Sequence, residues 1–77
     1  MVIPVTTTIY VYLLDEGIDC WRPVSAEHIR DDVYRIVSEP PDPEDEKWEY
    51  LPGAVVRCRQ QKLSEGDSLV AYEAASV

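Results

Sequence analysis

One histidine, two cysteines, three glycines and no phenylalanine occur in this chain of 77 residues. Each scarcity excludes something. His28 is the sole histidine, and no CxxC or HxxxH spacing accompanies it, so the ligand set of an ordinary zinc site is missing. The same residue is the only base available to a Ser–His or Cys–His nucleophilic centre, and nothing in the sequence orients it. Gly17, Gly53 and Gly66 each sit in a turn-like context, which leaves no glycine-rich loop to cradle a phosphate. Carboxylates cluster between positions 39 and 46, where water solvates them and no burial raises a pKa. The chain is expected to be no enzyme and to carry no cofactor and no metal.

Basic residues are also few. Seven Lys and Arg against fifteen Asp and Glu give a net charge of −8. Basic side chains drive sequence-independent nucleic-acid binding and docking on anionic membranes, so both partners are disfavoured. The charge reads first as a solubilising surface and second as a face for a basic partner. Cys20 and Cys58 are too few for a disulfide scaffold of the secreted type. The opening MVIPVTTTIYVYLL lacks a basic segment and a small-residue cleavage motif, and no apolar run reaches the roughly 20 residues that span a bilayer. A cytoplasmic protein with reduced thiols, monomeric or weakly dimeric, is expected.

What the chain does hold is β-forming residues. In residues 6–14, TTTIYVYLL, seven of nine are β-branched or aromatic. Ile9, Val11 and Leu13 fall on one side, Tyr10 and Tyr12 on the other. Asp15-Glu16-Gly17 follows as a turn. Residues 18–26 alternate again, with Ile18, Cys20, Val24 and Ala26 inward. Arg22 interrupts that row and Pro23 lacks a ladder donor, so a bulge or an edge is expected there.

Residues 25–38 admit two readings. Ala26, Ile29, Val33 and Ile36 fit helical spacing, with Ser25 as N-cap. The run Val33-Tyr34-Arg35-Ile36-Val37 behind a turn-like Arg30-Asp31-Asp32 fits strand–turn–strand, which is preferred. Residues 39–46, EPPDPEDE, read as an acidic loop, since three prolines and five acids suit neither helix nor core. Trp48-Glu49-Tyr50, residues 54–59 and residues 68–73 read as strands. Turns are expected at 51–53 and 64–67, and a frayed tail at 74–77. Five to six antiparallel strands at roughly ten-residue spacing are an all-β signature. At this length the sheet must close to manage its edges, so a single domain over 1–77 is expected, with its core in 5–73, as a small SH3-like barrel. The alternative is an α+β fold with a helix at 25–38.

The strings Trp21-Arg22-Pro23-Val24, Tyr34-Arg35-Ile36, Trp48-Glu49-Tyr50 and Pro52-Gly53 resemble the WRPV, YRI and W-x-[FY]-x-P-G pattern of a group of short bacterial proteins. The resemblance covers roughly residues 9–73. It implies a small SH3-like β-barrel and strengthens the strand reading of 25–38, but that group has no assigned activity, so no functional residues follow from it.

Tyr12, Trp21, Trp48 and Tyr50 are the candidate binding residues. Exposed together, they would form an aromatic surface that holds an extended or proline-rich peptide, or a cage for a cationic group. The competing reading makes a Trp a core plug. Two further classes are weighed: an acidic decoy that covers a basic protein with residues 39–46, and a small RNA-binding barrel using Arg57 and Arg59 beside Lys62.

Overall fold

The computed structural model describes residues 5–38, 46–63 and 66–76. Five strands run in it: β1 (Thr6–Tyr12), β2 (Trp21–Arg30), β3 (Val33–Ile36), β4 (Val55–Leu63) and β5 (Gly66–Ala74). They close into a barrel in chain order, and no helix occurs among the described residues. The fold is all-β and consistent with a small SH3-like barrel. Successive strands are antiparallel. An odd number of alternating strands leaves the first and last pointing the same way, so the closing seam is parallel, with Tyr10 opposite Val70.

The inward row expected for β1 is found: Ile9, Val11 and the following Leu13 are buried. Val24 and Ala26 from β2, Val33 and Ile36 from β3, Val56 and Cys58 from β4, and Val70 and Ala71 from β5 complete the interior. Residues 25–38 form strand, turn and strand. Asp31 takes a left-handed φ of 41° at the turn, a conformation that Asp tolerates better than most residues.

Pro23 illustrates how local chemistry fits the ladder. Leu13 N–H donates to the Cys20 carbonyl at 2.9 Å, so alternation makes Tyr10 and Pro23 a non-hydrogen-bonded pair. The Pro23 nitrogen faces away from β1, on the side where pairing to β3 begins only at Ala26. No ladder bond is lost there, and the expected edge character is present. The irregularity in β2 lies further on, between His28 and Arg30.

Four expectations need correction. β2 begins at Trp21 rather than at 18, and Ile18 is 73% exposed in a connecting loop bent by positive φ at Asp15 and Gly17. β4 runs to Leu63 rather than ending at 59, and β5 begins at Gly66, inside the stretch expected as a turn. Trp48 forms a single bridge to Leu13 instead of opening a strand. β5 runs to Ala74, and Ala75 N–H still donates to the Val55 carbonyl, so pairing continues into the stretch expected to fray. The acidic loop lies outside the described residues except for Glu46.

Truncating the centre of this interior is the direct test of the packing. Ile9→Ala is expected to lower unfolding stability by about 2–5 kcal/mol in a denaturant titration, whereas Val5→Ala, on an exposed residue, is expected to stay within about 0.5 kcal/mol.

Candidate aromatic cleft

Tyr12 and Trp21 are cross-strand partners at the end of the β1–β2 ladder. Their rings meet edge to face, with centroids 5.3 Å apart and planes at 77°, the arrangement a ring quadrupole favours. Both are half-buried. The Tyr12 hydroxyl donates to Asp19 Oδ1 at 2.9 Å. Ionising it would lose that bond and set two negative charges side by side, which raises its pKa above the ordinary value.

Trp48 does not join them. Its ring is buried in the core, and its indole Nε1 donates to Glu46 Oε1 at 2.9 Å. Arg22 Nε donates to the same oxygen at 3.0 Å, and Arg22 Nη2 pairs with Glu46 Oε2. This fork explains why Arg22 can interrupt the inward row: its charge turns out of the barrel onto Glu46. Two main-chain bonds, Leu14 N–H to the Lys47 carbonyl and Glu49 N–H to the Tyr12 carbonyl, hold the same segment against the end of β1. The two donors, Arg22 first and Trp48 second, hold the Glu46 carboxyl below the usual carboxylate range. Tyr50 is half-buried against the core, and that burial, ahead of the Glu49 and Glu73 charges, pushes its phenol pKa up.

Of the four expected residues, only Tyr12 and Trp21 therefore share a surface, while Trp48 acts as the core plug. In their place the barrel carries an open cleft of about 580 Å³. One wall is Tyr10, Asp19, Trp21 and Pro23, from β1, β2 and the loop between them. The other is Gln61, Lys62, Leu63 and Ser68, from the distal end of the β4–β5 hairpin. Tyr10 and Pro23 are direct cross-strand partners, so the first wall is continuous. Its signal in the sequence was the outward parity of Tyr10. The second wall had none, because it is brought across by a hairpin whose ladder shifts register between Arg57 and Cys58.

The basic stripe is engaged within the barrel. Arg57 Nη1 lies 2.9 Å from Asp32 Oδ1, and the Arg59 guanidinium sits 4.9 Å from the centre of the Tyr72 ring. His28 rests against Tyr34 at 4.8 Å and donates from Nε2 to the Asp31 carbonyl at 2.7 Å. No group of three or more His, Cys, Asp or Glu suited to a metal occurs among the described residues. No helix among them is long and apolar enough to cross a membrane. Comparison with protein-family models, curated proteins and solved structures finds no match for this chain.

Both cysteines are free, Cys20 half-buried in the loop before β2 and Cys58 buried on β4. Burial, with a smaller contribution from the Asp32 charge, pushes the Cys58 thiol up to about 12. Iodoacetamide at pH 8 is expected to alkylate Cys20 in the folded protein and Cys58 only after denaturant is added, as read by mass spectrometry.

The depressed Glu46 carboxyl gives a pH test. Its contribution to stability is full above the ordinary carboxylate pKa and is lost as pH falls through the lower folded value. Glu46→Gln is expected to unfold at lower denaturant than the parent at pH 7, with the gap narrowing below pH 4.

Proposed function

We propose that this chain is a non-catalytic binding module that holds an extended, proline-containing peptide segment of a protein partner in the cleft between the β1–β2 and β4–β5 hairpins. The single observation that carries this reading is the cleft, open to solvent and bounded on one wall by Tyr10, Trp21 and Pro23. Rigid aromatic side chains bury large area for little lost rotamer freedom, which suits them to grip the flat faces of an already extended chain. Tyr12 belongs to the site at one remove, since its ring sets the orientation of Trp21. Trp48 and Tyr50 support the scaffold beneath. The volume is that of a small-ligand or short-peptide site. The RNA reading has less support, since Arg57 and Arg59 are occupied by Asp32 and Tyr72.

The test is a titration of isotope-labelled protein with proline-rich peptides, followed by NMR. Shifts are expected at residues 10, 19–23, 61–63 and 68 and at the Trp21 indole. Trp21→Ala is expected to weaken binding at least about tenfold, while Arg59→Ala leaves it unchanged. In a Trp48→Phe background, bound peptide is expected to shield Trp21 from acrylamide quenching. Shifts that spare the cleft, or full affinity in Trp21→Ala, refute the reading.

A further inference from the structure

We infer that Gln61 and Ser68 form a neutral clamp on one main-chain carbonyl of the bound peptide, so that the hairpin wall of the cleft reads a hydrogen-bond acceptor and not a charge. The inference rests on the peptide-binding reading and specifies what that site recognises in its ligand.

Gln61 and Ser68 are direct partners in the β4–β5 ladder, so their side chains stand on the same face of the hairpin. Both are half-buried and both line the cleft. No hydrogen bond to another described residue engages either side chain. Lys62 also borders the cleft, but strand alternation sends its side chain to the opposite face, beside that of its ladder partner Asp67. The hairpin face shared by Gln61 and Ser68 therefore offers an amide, a hydroxyl and the apolar Leu63. A proline-rich segment is rich in acceptors and poor in donors. Each proline lacks an N–H, and the polyproline II conformer makes no internal hydrogen bonds, so its carbonyls are left to water. Laying such a segment against Trp21 strips water from carbonyls on its other side, and a stripped carbonyl without a donor weakens binding. Directly opposed strand residues hold their Cβ atoms roughly 5 Å apart. The Gln61 amide N–H and the Ser68 O–H can thus converge on one oxygen, whose two lone pairs accept both.

The probe is an acetylated, amidated peptide of alternating alanine and proline, which carries no charge. Gln61→Met, which keeps side-chain length and removes the donors, and Ser68→Ala are each expected to weaken its binding about three- to tenfold. Lys62→Gln is expected to leave the affinity unchanged. The clamp itself is read by replacing the peptide's carbonyls one at a time with thiocarbonyls, whose sulfur is the poorer acceptor. One position is expected to cost the parent about threefold or more, and to cost the Gln61→Met/Ser68→Ala double variant less than about twofold. Should the double variant fold poorly, the same comparison is made with Ser68→Ala, in which the effect at that position is expected to shrink. Equal sensitivity at every position, full affinity in both single variants, or a loss in Lys62→Gln as large as in Ser68→Ala overturns the clamp. Peptide binding still stands in those cases if Trp21→Ala weakens it. A probe that the parent does not bind overturns both.

Discussion

A closed sheet of five strands has a narrow interior, and that width decides where the large side chains go. The space inside is filled by Ile9, Val11, Val24, Ala26, Val33, Ile36, Val56, Cys58, Val70 and Ala71. Such β-branched and small residues suit both the strand backbone and a barrel of this diameter. The one fully inserted aromatic, Trp48, comes from a connecting segment rather than a strand, and it packs where β1 ends. The strand aromatics Tyr10, Tyr12 and Trp21 are turned to the outer face. The cleft is thus a by-product of core packing: side chains too bulky for the interior become its wall.

Much of this order is legible in the residues. Period-two alternation marks the inward rows of β1 and β4, and Gly17 and Gly53 mark points where the backbone adopts φ of 77° and 90°. The β-former density of 33–37 outweighs helical spacing there, since both edges of the segment pair with neighbouring strands. Alternation misleads at Ile18, because a loop keeps an apolar residue without keeping a strand's geometry. It also misleads at Trp48, whose neighbours Glu49 and Tyr50 resemble a strand but whose position is fixed by Glu46, Arg22 and the bridge to Leu13.

The site is legible only in part, for a physical reason. Tyr12 and Trp21 face each other through a local hairpin, so parity alone locates them. Leu63 and Ser68 line one cleft with Trp21 only because the barrel closes and the β4 ladder shifts register at Cys58. Neither event leaves a pattern in a short window of residues. The same separation holds for charge: the chain total says nothing about which single side chain lines a cleft.

The parallel seam carries a consequence in time. β1–β2 and β4–β5 are hairpins between near neighbours, which form over microseconds. Pairing of Tyr10 with Val70 joins points almost a whole chain apart, and its closure entropy must be met before any contact rewards it. On this topology ring closure is expected to be the slow step of folding, after the two local hairpins. The cleft lies between those hairpins and is complete only once the ring has closed.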